Sequence, residues 1–164
     1  MENSKKMKKS LLLILLLSIL ATTSFARHRK MQDKYAPISV NSYHTACFGR
    51  CPIYRVNVNK NGEVTYTGEM FVQDSGVFVK NIGTVAAQKI LDMCAKYRVD
   101  TCQDVYNNMV PDLPGLYMTI VYKGSTKKII NASFGPGFLR EIANAMDAIA
   151  KPDATWKRMP TPIK

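Results

Sequence analysis

Tyr54-Arg55-Val56-Asn57-Val58-Asn59-Lys60-Asn61-Gly62-Glu63-Val64-Thr65-Tyr66 is the stretch whose reading decides the fold. Tyr54, Val56 and Val58 alternate with polar residues, as a strand buried on one face does. Lys60-Asn61-Gly62 then turns the chain, and Asn-Gly is the strongest short hairpin signal because both residues tolerate positive φ. Val64-Thr65-Tyr66 returns as the partner strand. Working outward, Ile38, Val40 and Ser42 alternate ahead of the hairpin, and Gly68 to Val79 reads as a further strand with a break near Ser75-Gly76. A meander of about four strands results.

Beyond it the period changes. Thr84 is placed to N-cap a helix over Val85 to Arg98, with Ile90, Leu91, Cys94 and Tyr97 on one stripe. A loop from Val99 through Pro114 follows. Leu116 to Tyr122 and Lys128 to Ala132 then form a second hairpin across a Lys-Gly-Ser turn. Gly135-Pro136-Gly137 introduces a last amphipathic helix over Phe138 to Ala150, with Leu139, Ile142, Ala143, Met146 and Ile149 facing inward. The order β-β-β-β-α-β-β-α predicts an α+β domain: an antiparallel sheet of about six strands with two helices on one face.

The first 26 residues have the three parts of an export signal. Lys5, Lys6, Lys8 and Lys9 precede an apolar run from Leu11 to Ala21, and Ser24-Phe25-Ala26 supplies the small residues for cleavage after Ala26. No cysteine stands just after the apolar run, so the lipoprotein route is closed. The rival reading is an uncleaved anchor, because Ser10 to Ala26 is 17 residues, near the lower limit of a membrane span. Cleavage leaves a flexible basic tail over 27–36, one domain over 37–156, which is an ordinary single-domain length, and a C-terminal tail over 157–164 next to Pro152, Pro160 and Pro162. Localisation is then the periplasm or the extracellular space.

The full chain carries a net charge of +11, from 23 Lys and Arg against 12 Asp and Glu. Once the leader is removed, the positive residues do not cluster. Arg27, Arg29 and Lys30 sit on the tail, Lys127 and Lys128 flank a turn, and no aromatic residues interleave with them as a single-strand nucleic-acid surface requires. The charge therefore reads as a solvated basic surface, without a specific nucleic-acid partner.

Four cysteines in an exported chain permit three connectivities. Cys47 with Cys51 and Cys94 with Cys102 is the favoured set, since a local bridge needs only a turn and Gly49 supplies one. On the chain-entropy account such short loops contribute about 2–3 kcal/mol each. Thiol-disulfide exchange at Cys47 and Cys51 is the first alternative. It is disfavoured because three residues, not two, separate the thiols and strand-like sequence follows, so no helix N-terminus lowers a thiol pKa. Zinc is disfavoured by the seven residues between Cys94 and Cys102. Covalent haem attachment fails, since Pro52 stands where a histidine is needed.

Cys47-Phe48-Gly49-Arg50-Cys51-Pro52-Ile53-Tyr54, the Asn61-Gly62 hairpin and Pro111-Asp112-Leu113-Pro114 resemble a family of exported bacterial domains of unknown function. Its members share a C-F-G-x-C-P-x-Y opening and a later T-D-x-P step. The resemblance spans Ile38 to Trp156, with Pro111 where the family often has threonine. Cys94 and Cys102 are particular to this chain, which supports pairing Cys47 with Cys51. The resemblance implies a fold and an exported setting and no reaction.

No catalytic constellation is legible. His44, Tyr54, Tyr66, Asp112 and Arg50 are the candidate groups, and none is spaced to fix a reaction; His44 has no partner carboxylate that the sequence can name. There is no G-x-S-x-G, H-E-x-x-H, phosphate loop or acidic metal cluster, so no cofactor or metal is expected and a hydrolase of unfamiliar kind is the second alternative. The reading that remains is a non-enzymatic binding module. Its candidate surface is Phe48, Arg50, Tyr54, Asp112 and Pro114, on the stapled turn and the later loop. Its ligand is an unidentified protein, glycan or small molecule. Two loops that converge would share one site; two at opposite ends would be structural.

Overall fold

The structure, a computed structural model, describes residues 35–107 and 112–160. The leader, its cleavage site, most of the basic tail, Pro111 and the last four residues lie outside the described residues. Strands β1 (Pro37–His44), β2 (Ile53–Asn59), β3 (Glu63–Met70) and β4 (Gly76–Asn81) are followed by helix α1 (Thr84–Lys96). The chain continues as β5 (Leu116–Tyr122), β6 (Ser125–Ile129), α2 (Gly137–Ile149) and β7 (Lys157–Met159). The fold is α+β, with one open antiparallel sheet in the order β6-β5-β1-β2-β3-β4-β7.

Alternation puts Val40, Val56, Val58, Val64, Met118 and Ile120 on one face, where all are buried. α1 covers this face with Ala87, Ile90, Leu91 and Cys94, and α2 with Leu139, Ile142, Ala143 and Met146. These apolar residues form a single core. The two helices meet through Tyr97 and Phe138, whose rings stack with centroids 4.8 Å apart. No helix among the described residues is long and apolar enough to cross a membrane.

The Asn-Gly turn forms a hairpin, by a different geometry from the one expected. Positive φ occurs at Gly62 (88°) and not at Asn61, in a loop of three residues. The Asn59 carboxamide oxygen closes it, accepting from the Asn61 and Glu63 amides at 2.9 and 3.2 Å. A side chain at Gly62 would also strike Gly83, at 2.6 Å from its carbonyl carbon, because this turn packs on the start of α1.

Several boundaries differ from the sequence reading. Thr84 is not the N-cap of α1. Gly83 occupies that position at φ 83°, and its amide is held by the Asn81 side chain at 2.8 Å. β6 begins at Ser125, directly after a turn at Lys123-Gly124, where Gly124 has φ 87°. The sheet has seven strands because the expected C-terminal tail supplies β7. Trp156 is buried and anchors the segment, Arg158 pairs with Phe78 in register, and the Arg158 guanidinium donates to the Ser75 carbonyl at 3.2 Å. An otherwise open β4 edge is thereby covered.

The cysteines correct a further expectation. Cys47 and Cys51 are bridged, with Cα atoms 5.6 Å apart, whereas Cys94 and Cys102 are free thiols. Cys94 points into the core from the buried stripe of α1, so its direction is set by packing. Cys102 follows a short 3-10 turn and engages Tyr106, while its carbonyl accepts from the Lys127 ammonium.

Candidate functional site

Antiparallel pairing gathers the loops at one end of the sheet. β1 ends where β2 and β5 begin: His44 lies opposite both Tyr54 and Leu116. β3 ends beside the start of β2, with Ile53 opposite Met70. The Cys47–Cys51 turn and the Asp112–Pro114 loop are therefore neighbours. The Phe48 amide donates to the Asp112 carbonyl at 3.3 Å, and the Thr45 amide to the Gly115 carbonyl at 3.0 Å. The Thr45 hydroxyl returns the contact by accepting from the Gly115 amide at 2.9 Å.

The two loops share one surface. Phe48 is 88% exposed at its tip, with Leu113 and Met70 also exposed. Pro114 is exposed beside them, and the Arg50 guanidinium stands over the Phe71 ring at 5.7 Å from its centroid. Side chains of this size are costly to leave in water, so a rim of them marks a contact surface more strongly than a single exposed residue would.

On the uncovered face of the sheet, the same end carries a fixed polar-aromatic row that the sequence reading missed. The Arg55 guanidinium lies 3.6 Å from the centre of the Tyr43 ring, and its Nε donates to Glu69 at 2.8 Å. Tyr117 packs edge-on against Tyr43 at 6.1 Å. All four sit at outward positions of adjoining strands. Their only sequence signal is polar alternation, which looks the same for any solvated face.

On the helix-covered face, Tyr54 leaves the loop surface and lines a cleft of about 310 Å³ with Pro52, Tyr66, Phe71, Asp147 and Lys151. The Tyr54 ring is stacked on His44 at 4.2 Å and approaches Tyr66 at 5.8 Å. Asp147, from the last turn of α2, supplies the carboxylate that the sequence could not name for His44, with Oδ2 3.4 Å from His44 Nε2. Burial, and then the Asp147 carboxylate, push the Tyr54 phenol well up, so it is a neutral donor at physiological pH. Tyr66 is raised as well, first by burial and then by Asp74. Asp147 adjoins the buried stripe of α2, next to Met146 and four residues after Ala143. A carboxylate on the margin of an apolar stripe was the available clue.

The cleft depends on the β3–β4 loop lying over Gly68. A Cβ at Gly68 would collide with the Asp74 carbonyl, and Phe71 turns the loop at φ 55°. Among the described residues no group of three or more His, Cys, Asp or Glu side chains is placed to hold a metal ion.

Fold and site together define a small one-sided α+β domain that presents a stapled loop surface at one end of its sheet. Within that class, residues 38–150 match the family described as Domain of unknown function (DUF6438), and the chain belongs to it. No curated protein and no solved structure matched.

Proposed function

We propose that the protein is an exported binding module, and that its ligand surface is the joined Cys47–Cys51 and Asp112–Pro114 loops. The observation that carries this reading is the Phe48 amide donating to the Asp112 carbonyl, which locks two loops far apart in sequence into one surface with Phe48 projecting from it. The bridge restrains the first loop and so lowers the ordering cost of binding. Export is supported by the composition of the leader and by a disulfide, which persists in oxidising compartments. Thiol exchange gains no support, since Cys51 runs through Pro52 into β2 and, among the described residues, no helix begins next to the bridge to stabilise a thiolate.

The test places a photo-reactive residue at position 48 in cells exporting the protein, with position 89 on the exposed side of α1 as control. A discrete adduct at 48 and none at 89, on protein whose mature N-terminus is Arg27, is the expected result. Equal labelling at both positions, or an intact Met1 in washed membranes, overturns the reading.

A further inference from the structure

We propose that the cleft between Tyr54, Tyr66, Phe71 and the end of α2 binds an organic cation bearing N–H groups, a primary ammonium or a guanidinium, with Asp147 as its counter-ion. The inference concerns the cleft on the helix-covered face and not the loop tip at Phe48, with Phe71 adjoining both.

The first ground is electrostatic. The chain is strongly basic, yet the less exposed of the two charged residues lining this cleft is Asp147, and a second carboxylate, Asp74, lies close to the Tyr66 phenol. The last turn of α2 holds no basic residue, so the partial negative charge of the helix C-terminus opens here uncompensated from within the helix.

The second ground is hydrogen bonding. Asp147 Oδ2 is turned to His44 and Oδ1 is buried, the Tyr54 phenol hydrogen-bonds to this carboxylate, and the side chain as a whole is still 27% exposed. An ionised carboxylate that keeps an exposed edge makes its strongest bonds to cationic N–H donors. The Tyr54 and Tyr66 phenols, held neutral, can accept the remaining N–H bonds. This requirement separates the ligand class from quaternary ammonium ions, which have no N–H to give, and from anions, which Asp147 repels.

The third ground is shape and surface. A volume of about 310 Å³ admits a group of side-chain size. Phe71 already attracts one guanidinium, that of Arg50, to its ring. Lys151 lines the mouth with an exposed side chain, and there it competes with an incoming cation.

That competition gives the test a sign. The probes are N-acetylarginine amide, 1,5-diaminopentane and, as the neutral isostere, N-acetylcitrulline amide, titrated into the intact domain while the Tyr54, Tyr66 and Phe71 resonances are followed. Both cations are expected to perturb these resonances and the citrulline compound is not. Stronger binding of the arginine amide assigns the site to a basic peptide side chain, and of the diamine to a free amine. Asp147→Asn should weaken binding at least about tenfold, the loss of one charge-assisted contact, and Lys151→Gln should tighten it several-fold. Failure of either cation to bind, equal binding of the isostere, or weaker binding by Lys151→Gln overturns the proposal. Should Asp147→Asn perturb folding, the exposed Lys151 substitution decides alone.

Discussion

His44 Nε2 stands 3.4 Å from Asp147 Oδ2, tying the end of β1 to the last turn of α2. The side chains are 23% and 27% exposed, so the pair is neither a free surface contact nor a sealed one. Its coupling should be no more than that of one partly exposed polar contact, about 1 kcal/mol. A double-mutant cycle of His44→Gln and Asp147→Asn by urea denaturation measures it directly. Additive losses would show that the helix end is held by packing alone.

Gly68 is where the β3–β4 loop crosses its own strand. Gly68→Ala forces either the strand or the loop to move, and overpacking of this kind costs about 1–3 kcal/mol. Chemical-shift changes should concentrate in Phe71 to Ser75 and in the cleft, sparing the Cys47–Cys51 turn. A variant with native stability and an unchanged loop would refute the close approach.

One bridge and two thiols make a countable difference. Burial pushes the Cys94 thiol up to about 12 and raises Cys102 as well, so neither is a ready nucleophile at neutral pH. Alkylation of the folded protein should leave Cys94 unmodified. Unfolding without reductant should expose two reactive thiols, and reduction all four. Intact mass after each treatment gives the count, and no adduct before reduction would mean that Cys94 and Cys102 are bonded after all.

Asp100 contributes an acid-sensitive term. The Arg98 guanidinium grips it through two bonds of 2.9 Å, and this holds the Asp100 carboxyl below its ordinary range. A carboxyl depressed in the folded state stabilises fully above its unfolded value. That contribution disappears as pH falls below about 4, the range in which free aspartate protonates. Thermal unfolding at pH 7 and pH 3 should show a smaller acid-induced drop in Tm for Asp100→Asn than for the unaltered chain. An equal drop would assign the acid sensitivity elsewhere.

Leucine, valine and tyrosine spacing made the strands and both helices legible, because period 2 and period 3.6 are local consequences of backbone geometry. Val56 and Val58 must share a face whatever lies opposite them, and so must Ile90, Leu91 and Cys94. The Cys47–Cys51 bridge was legible for the same reason, since a turn suffices to close it. The sequence reading did not reach β7, whose three residues carry no pattern of their own and pair only because β4 offers an edge with Trp156 buried beside it. It paired Cys94 with Cys102 by distance along the chain, whereas the helix stripe aims Cys94 into the core.

The site divides in the same way. Phe48, Arg50, Asp112 and Pro114 could be singled out as loop residues of unusual type, but their meeting rests on β5 lying next to β1, a strand order that no local signal encodes. Asp147 became the partner of His44 through the docking of α2 on β2 and its neighbours. Local periodicity therefore specified the elements and the faces they bury. Long-range packing, in which many weak apolar contacts choose one arrangement among several with the same pattern, specified which loops and which charges face each other.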